Sequence, residues 1–473
     1  MSERRNEERD ADRERIRLLE FQLDYLRAEL LHLTHERYRL IYSASGHIYR
    51  FLRPIEASIA DAANALASRF RRPSLETIQP TPAPRASARQ APMPARRLLV
   101  DVTGTIKRDA GTGIQRVVKE VVRGLYGGDS FDIPAVAVRC AGGRLLTANG
   151  LVAELVGGDA APDSAIAIEA GDRFLMLSDS WNAFDELAPI FEKIRGEGGE
   201  VVTCIFDLIP ELYPHACHEA TVPRYRAWLR KALLESDGFL AISRTVADEL
   251  ADYVAAQALP HRPGLKIGWF HCGSDLALRA GAAPDDKFKA AVAGDAPVFL
   301  TVGTIEPRKG QRVAIRAFED LWANGRDMRL IVVGRRGWFE EAIVDEILTH
   351  GEFGRRLFWF DDADDDALSF LYDHATALIF PSYAEGFGLP IVEAARRGRP
   401  AICSDIPVFR EVGGSGALYF RVNDAKALAE TIADFLDGRR VGDPEQVLRV
   451  AWREAARRIV EIIAREEWSR RLP

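Results

Sequence analysis

The chain has few cysteines, and none of them lie close together in the sequence. The five are Cys140, Cys204, Cys217, Cys272 and Cys403. Disulfide-rich secreted domains and zinc sites need paired or closely spaced cysteines. Here the number is odd, and Cys204 and Cys403 lie in apolar surroundings. The composition therefore argues against a disulfide scaffold or a zinc site and predicts a reduced, cytosolic protein.

Long apolar segments and a strong charge imbalance are also missing. No apolar run approaches the ~18 residues of a membrane-spanning helix, and the charged N-terminus lacks the apolar core of a signal peptide. The net charge of −7 and the pI of about 5.8 argue against a dedicated nucleic-acid binder. The length of 473 residues predicts two or three structural units, since a domain has roughly 150 residues.

Residues 1–72 are predicted to form a helical extension. Their apolar residues follow three- and four-residue spacing with one break, at Arg37. They are Ile16, Leu19, Leu23, Leu26, Leu30, Leu33 and Leu40. A narrow apolar seam with charged flanks is typical of a coiled coil, so we expect a homo-oligomer formed through this helix. The alternative is a helix packed on the rest of the chain.

Two segments complete the N-terminal region. Residues 47–72 combine apolar side chains with several arginines, which is compatible with peripheral contact at a membrane surface and equally with a continued helical bundle. Residues 73–96 are rich in proline, alanine, serine and arginine. This composition predicts a flexible, disordered linker.

The rest of the chain alternates short apolar strands with amphipathic helices. Strands are predicted at 98–102, 173–177, 201–206 and 238–242, and then at 298–302, 330–333, 357–360, 377–380 and 400–403. Helices between them, such as 222–234 and 245–255, predict parallel α/β sheets covered on both faces. A long amphipathic helix is predicted at 444–467. Two such units facing each other would leave a cleft at the carboxyl ends of their strands.

The segment 380–393 contains two glutamates on either side of a glycine-rich turn. A predicted strand precedes the turn, and a predicted helix at 389–397 follows it, with Pro390 in the first turn where a missing N–H costs nothing. Such a helix N-terminus suits a phosphate group. A carboxylate at Glu393, inside the helix, suits two ribose hydroxyls, and Glu385 lies at the mouth of the turn. The alternative is a solvated helix with ordinary surface carboxylates.

This pattern resembles the signature of the retaining glycosyltransferases of family 4, which have the GT-B fold. The resemblance covers the chain from Arg97 onward and is most specific over residues 301–411. It implies two facing Rossmann-like domains, at 97–280 and 281–443, with a C-terminal segment at 444–473 that crosses back to the first domain. It also implies that Glu385 contacts the donor sugar, that Glu393 holds the ribose, and that the amides of Gly386, Phe387 and Gly388 hold the diphosphate.

The loop at 303–310 follows the first strand of the second unit and contains two adjacent cations, Arg308 and Lys309. Two cations after a glycine turn suit a diphosphate leaving group. Lys309 matches the lysine of the resembled family, whereas Thr304 stands where the family has an arginine. Either Arg308 supplies the second charge, or Glu306 marks a subgroup with altered donor contacts. The alternative is that both cations are solvated loop charges.

Other positions are candidates for the cleft. Gly111 and Gly113 match a glycine loop that lies near the diphosphate and acceptor in the resembled family. Asp207 ends a strand and is predicted either to contact the sugar or acceptor or to cap a helix; relatives have a histidine at Phe206. The backbone at Asp361 is expected to frame the nucleobase.

Two further features are weaker signals. His271 is expected to be structural. The acidic run from Asp361 to Asp366 formally contains an Asp-x-Asp metal motif at Asp362 and Asp364. Its position before a helix favours a capped, solvated helix start instead, so no metal site and no resident cofactor are predicted.

The resemblance implies a retaining, metal-independent hexosyltransferase. Its donor would be a nucleotide sugar, with GDP-linked mannose or rhamnose favoured, and its acceptor a saccharide or lipid-linked saccharide in surface polysaccharide or O-antigen synthesis. The expected location is the cytoplasm, with peripheral contact at the inner face of the membrane left open. The alternatives are another GT-B activity, such as a sugar synthase or epimerase, and a coiled-coil scaffold with a degenerate transferase body.

Overall fold

The computed structural model describes residues 95–109, 111–128, 130–275, 285–337 and 341–473. The predicted helical extension at 1–72 and nearly all of the predicted linker at 73–96 lie outside the described residues. The domain boundary predicted near residue 280 also falls in a gap. In the described part of the chain, no helix has the length and apolar character needed to cross a bilayer.

The first sheet has eight strands in the described residues. These are β1 (Leu98–Asp101), β2 (Ala135–Ala141), β3 (Arg144–Thr147), β4 (Arg173–Met176), β5 (Glu200–Ile205), β6 (Gly238–Ala241), β7 (Lys266–Trp269) and the last strand of the chain, β14 (Arg470–Arg471). Their spatial order is β14-β7-β6-β5-β4-β1-β2-β3. The pairs from β2 through β1, β4, β5 and β6 to β7 are parallel. The strand order reverses beside β1, so this is a doubly wound sheet.

Helices cover both faces of this sheet. They are α1 (Thr103–Lys107), α2 (Gly113–Tyr126), α3 (Asn149–Val156), α4 (Phe184–Gly196), α5 (Ile209–Leu212), α6 (Thr221–Glu235) and α7 (Arg244–Ala256). Along β1, Leu98 and Val100 pack in one apolar cluster while Leu99 packs in another. Since successive side chains of a strand point to opposite faces, both faces of the sheet are buried, as the continuous apolar runs predict.

The second sheet has six strands in the described residues. They are β8 (Val298–Val302), β9 (Arg329–Val333), β10 (Leu357–Phe360), β11 (Ala377–Phe380), β12 (Ala401–Ser404) and β13 (Leu418–Phe420). Their order is β10-β9-β8-β11-β12-β13, with every pair parallel. This is the 3-2-1-4-5-6 order of dinucleotide-binding folds, in which ligands bind at the reversal point, here between β8 and β11.

Helices of the second unit follow the same alternation. They are α8 (Asp286–Val292), α9 (Gln311–Ala323), α10 (Glu341–Leu348), α11 (Asp365–His374), α12 (Leu389–Arg396), α13 (Pro407–Gly413) and α14 (Ala425–Leu436). The prediction of an α/β protein with two mainly parallel sheets is confirmed. Two doubly wound units joined in this way form a GT-B-like fold.

The C-terminal segment differs from the single helix predicted at 444–467. A 3-10 turn at Pro444–Gln446 comes first, and the helix itself, α15, is Trp452–Ala464. The residues between them are not helical: Val447 and Ala451 have extended backbone, and Leu448 donates its N–H to the Val412 carbonyl (3.0 Å). The helix begins where Asp275 accepts the N–H of Trp452 (2.6 Å). It then packs against α2 of the first unit, at the glycine position Gly124.

Several strands were missing from the sequence prediction. The largest is the hairpin of β2 and β3, which adds an antiparallel pair to the sheet edge. Its two-residue turn, Gly142–Gly143, has φ values of 57° and 70°, which suits the tight turn of a hairpin. The strands β7, β13 and β14 were also missed. None of them has the continuous apolar run of four residues that marks a buried parallel strand: the sequences are Lys-Ile-Gly-Trp, Leu-Tyr-Phe and Arg-Arg.

Candidate active site

Two loops meet at the carboxyl edge of the second sheet. One follows β8 (residues 303–310) and the other follows β11 (residues 381–388), on the two sides of the reversal point. Gly310 permits their approach: it has a φ of 70°, and a Cβ placed there would lie 2.3 Å from the Pro381 carbonyl oxygen. Only glycine meets both conditions without strain. The approach brings the cations of the first loop to the carboxylate of the second.

Glu385 lies at the centre of the resulting ion cluster. The Lys309 Nζ is 2.6 Å from one of its carboxylate oxygens, and the Arg308 Nη1 is 3.1 Å from the other. The Arg308 Nε also lies 2.9 Å from Glu306 Oε2. All four side chains are at most 15% exposed. The alternative interpretations, solvated loop cations and ordinary surface carboxylates, are therefore wrong for these residues.

The protonation of this cluster follows from burial and charge. Burial alone would raise the pKa of Glu385, but the charges of Lys309 and then Arg308 outweigh it and lower that pKa. Burial lowers the pKa of Lys309, and the attraction of Glu385 offsets this only in part. Burial would also lower the pKa of Arg308, but the Glu385 and Glu306 carboxylates raise it above its ordinary value. Glu385 therefore stays ionised between two cations.

The first unit contributes Asp207 to the same place. This residue follows β5, and its carboxylate accepts the N–H of Ile209 (3.0 Å) at the start of α5. Burial raises the pKa of the Asp207 carboxyl and is the largest effect on it. The nearby charge of Arg308 lowers this pKa, and that of Glu385 raises it. Both predicted roles for Asp207, a helix-start acceptor and a polar group at the cleft, are compatible with this position.

At Gly386 the two units are in direct contact. A Cβ at this position would lie 1.9 Å from the Phe206 carbonyl oxygen and 3.3 Å from the Asp207 Cβ. The Gly386 carbonyl in turn accepts the hydroxyl of Ser243 (2.8 Å). The lack of a side chain at Gly386 therefore lets the Glu385 loop lie directly against the first sheet.

Glu393 lies on α12 and is only 2% exposed. The Tyr372 hydroxyl donates to its Oε2 (2.9 Å), and the Arg116 Nη1 lies 3.0 Å from its Oε1. Arg116 comes from the first unit, on α2. The sequence analysis did not single out Arg116, because nothing in its local pattern distinguishes it from the other cations of that helix.

The remaining predicted residues of the second unit follow the strands β8, β10 and β11. Gly388 begins α12 with a φ of 106°, which favours glycine. The Phe387 side chain is buried, with its ring 5.9 Å from that of His271. Thr304 has its carbonyl held by Gln311 Nε2 (2.9 Å). Asp361 is exposed, just after β10.

The glycine loop of the first unit begins α2. Gly111 has a φ of 62° and lies near the Arg335 guanidinium, whereas a Cβ at Gly113 would meet no atom within 4 Å. The helix start is held by a capping box in which Gln115 Oε1 accepts the N–H of Thr112 (2.9 Å). The structure therefore gives a steric reason for glycine at 111 but not at 113.

The acidic run and His271 have structural roles. Asp364 accepts the N–H of Ala367 (2.8 Å) and so caps α11, and Asp362 pairs with Lys287 at the surface. His271 Nε2 lies 2.7 Å from Glu411 Oε1. These positions agree with the interpretation of a capped helix start and a structural histidine.

Glu411 is a second residue that the sequence analysis missed. It lies on α13 of the second unit and accepts the N–H groups of Arg244 and Thr245 (both 2.8 Å), at the start of α7 in the first unit. The Thr245 hydroxyl donates to it as well (2.6 Å). Burial opposes ionisation, but these bonds, led by that of His271, lower the pKa of Glu411 to about 2. Glu411 is thus an ionised bridge between the units.

Residues 283–459 match the family model of glycosyl transferases group 1. The matched segment is similar to glycosyl transferases of this group. It contains β8 to β13 and both loops of the ion cluster, so the cluster lies within the matched region. The strands and helices of the first unit from β1 to β7 lie outside the match.

The chain is also similar to curated proteins. It is 31% identical over 348 residues to the serotype-specific mannosyltransferase WbdA of Escherichia coli, covering 72% of this chain and 43% of that protein. It is 35% identical over 170 residues to the O-antigen chain mannosyltransferase B of Escherichia coli, covering 35% of this chain and 43% of that protein. The chain thus spans less than half the length of these relatives.

Solved structures to which the chain was matched include HepE of Anabaena in complex with UDP and glucose. That structure is 16% identical, with a TM-score of 0.48, and the match covers 78% of this chain and 95% of that one. The sucrose-phosphate synthase of Thermosynechococcus elongatus is 18% identical, also with a TM-score of 0.48. This match covers 78% of this chain and 94% of the synthase chain.

Proposed function

We propose that this protein is a retaining hexosyltransferase. It moves a mannose- or rhamnose-like sugar from a nucleotide sugar, GDP-linked by preference, to a hydroxyl of a growing saccharide in surface polysaccharide or O-antigen synthesis. The observation that carries the proposal is the buried cluster of Lys309, Arg308 and Glu385 at the reversal point of the second sheet. The mannosyltransferase names of the relatives support the choice of sugar.

The chemistry follows from how this cluster would respond to a diphosphate. A dianionic diphosphate competes with Glu385 for Lys309 and Arg308, because both cations are within 3.1 Å of that carboxylate. Once the cations turn to the phosphate, Glu385 is free to accept hydroxyls of the donor sugar. The same residues therefore bind phosphate and sugar together.

The bond changes are a substitution at the anomeric carbon. The bond from that carbon to the phosphate oxygen breaks, and a bond to the acceptor oxygen forms on the same face of the sugar. The acceptor proton passes to the leaving phosphate. Lys309 and Arg308 stabilise the negative charge that builds up on the leaving group, a contribution worth roughly 10²–10³ in rate for one such donor.

Two fixed cations beside a helix N-terminus supply the charge that a divalent ion supplies in other transferases. Activity is therefore expected to survive EDTA. Rates of sugar transfer or donor hydrolysis, measured before and after chelation, check this. Complete loss with EDTA and recovery with magnesium or manganese would contradict the metal-independent mechanism.

The donor is tested by thermal unfolding of the full-length protein with a panel of nucleoside diphosphates and nucleotide sugars. A ligand that binds only the folded state raises the melting temperature by mass action, and GDP and GDP-mannose should give the largest shifts. Incubation with the stabilising donor should then release its nucleoside diphosphate. A protein that shows neither stabilisation nor release with any donor is better described as a scaffold with a degenerate transferase body.

A further inference from the structure

Arg116 belongs to the first unit but pairs with Glu393, a carboxylate of the second unit. It lies in the first turn of α2, whose start is held by the capping box of Thr112 and Gln115. This fixed helix start directs the Arg116 side chain across the cleft, where its Nη1 lies 3.0 Å from Glu393 Oε1. Glu393 is the carboxylate to which the proposed function assigns the ribose.

Glu393 has little remaining access to solvent. Its other oxygen accepts the Tyr372 hydroxyl (2.9 Å), and the residue as a whole is 2% exposed. Ribose hydroxyls need to reach this carboxylate, since hydrogen bonds to a charged group provide much of the affinity for a sugar. In the structure, Arg116 and Tyr372 contact the two carboxylate oxygens of Glu393 and shield them from solvent.

Arg116 lies between Glu393 and a cavity of about 290 Å³. The cavity is formed by α2, by α11 and by the residues around them, and Arg116 lines it while Glu393 does not. The Arg116 side chain is 25% exposed, against 2% for Glu393. Among the described residues, Arg116 Nη2 is also a buried nitrogen without a hydrogen-bond partner. The guanidinium is thus ion-paired with Glu393, with the charges of Asp365 and Glu120 nearby, and on the side of the cavity it covers the Glu393 carboxylate.

We propose that Arg116 gates the nucleotide site. The ribose reaches Glu393 only when Arg116 has moved off it, so the ion pair lowers the apparent affinity of the free protein for the nucleotide. This inference rests on the proposed function, because it assigns the ribose to Glu393. The apparent dissociation constant equals the intrinsic constant divided by the fraction of molecules in which the gate is open.

The test compares the full-length parent protein with Arg116→Gln by calorimetry with GDP. Removing the gate should lower the dissociation constant by about three- to tenfold, because a closed fraction of roughly 70–90% is then abolished. Lys119→Gln is the matched control. Lys119 lies on the same helix and lines the same cavity, but it pairs with Asp109 instead of Glu393, so its variant should stay within twofold of the parent.

Inorganic pyrophosphate distinguishes a gate at the ribose site from an effect of the Arg116 charge on phosphate binding. It carries the two phosphates without the ribose, so Arg116→Gln should leave its affinity unchanged or slightly weaker. Arg116→Lys keeps the charge and should show a smaller gain for GDP than Arg116→Gln. In a Glu393→Ala background the gain from Arg116→Gln should disappear, because the site that Arg116 covers is gone.

The outcomes separate the two hypotheses. If the parent binds GDP and Arg116→Gln binds it equally or more weakly, the gate is wrong while the proposed function stands. If neither the parent nor any variant binds a nucleoside diphosphate, the proposed function fails and the gate fails with it. An equal gain for GDP and pyrophosphate would also overturn the gate, because it would show an effect that does not involve the ribose.

Discussion

At the residue scale, the proposed function gives separate roles to the two glutamates and to the lysine, because each would face a different part of the donor. Glu393 is assigned to the ribose, Glu385 to the sugar, and Lys309 to the phosphate. Substitutions at these positions should therefore affect binding and turnover in different proportions.

Glu393→Ala should weaken the binding of nucleoside diphosphates by about ten- to 100-fold. The reason is that hydrogen bonds to a charged group are worth about 1.5–3 kcal/mol, and 1.4 kcal/mol is a factor of ten. Calorimetry with GDP measures the change. Glu154→Ala, at an exposed carboxylate that lines the same cavity, is the control. Equal affinity of Glu393→Ala and the parent would contradict the ribose assignment.

Lys309→Ala should lower the turnover of the sugar donor by roughly 10²–10³, the usual loss for one group that stabilises developing charge. Initial rates at saturating donor measure it. The control is Lys287→Ala, which removes a lysine whose partner, Asp362, is at the surface and which should leave the rate unchanged. A Lys309→Ala rate within twofold of the parent would exclude Lys309 from the reaction.

Glu385→Ala should lower turnover while sparing the affinity for the bare nucleoside diphosphate. The variant loses the acceptor for the sugar hydroxyls but frees Lys309 and Arg308, which then face the phosphate without a competing carboxylate. Initial rates and GDP calorimetry on the same preparation check both halves. A large loss of GDP affinity would mean that Glu385 acts on the nucleotide and not on the sugar.

At the scale of elements, the loops after β8 and β11 depend on glycines for their approach to each other and to the first sheet. Gly310 lets the two loops meet at Pro381, and Gly386 lets the second loop lie against Phe206. These positions show why the motif is rich in glycine. In the structure, glycine is required at these positions because the backbone of another segment lies too close for a side chain.

Gly386→Ala should destabilise the contact between the units, because its Cβ would lie 1.9 Å from the Phe206 carbonyl oxygen. Overpacking of this kind costs on the order of 1–3 kcal/mol, so both the melting temperature and turnover should fall. Gly351→Ala, where a Cβ would meet nothing within 4 Å, should leave both unchanged. If Gly386→Ala behaves like Gly351→Ala, the two units are not in contact there in solution.

At the scale of the whole molecule, polar bridges connect the two units at separate places. Arg116 reaches from α2 to Glu393, and Glu411 reaches from α13 to the start of α7. Helix α15 adds an apolar connection by packing on α2. The relative position of the two sheets therefore depends on a few residues that are far apart in the sequence.

Glu411→Gln should reduce stability at neutral pH but not in strong acid. The pKa of Glu411 is lowered from 4.5 to about 2 in the folded protein. Its carboxylate therefore stabilises the fold above pH 4.5, and this contribution is lost as the pH falls from about 4.5 to 2. Urea unfolding of parent and variant across this range measures it. Glu430→Gln, at an exposed glutamate, is the control, and a constant difference for Glu411→Gln at every pH would contradict an ionised bridge.

The sequence by itself determined most of the elements and the local part of the site. Apolar runs place β8 and β11 within a residue of their observed bounds, since buried parallel strands need continuous apolar segments. Residues 303–310 and 381–388 follow these strands directly, so the meeting of Lys309 with Glu385 follows once the strands are adjacent. The error at 444–467 arose because an amphipathic pattern does not show where a tertiary hydrogen bond interrupts a helix.

Only the tertiary structure decided the contacts between the units. The pairing of Arg116 with Glu393, the bridge of Glu411 to α7 and the approach of Gly386 to Phe206 each join distant parts of the chain. The sequence around Arg116 or Glu411 does not indicate which residue each of them pairs with. These contacts depend on how two separately folded sheets lie against each other, which side-chain periodicity within one element does not encode.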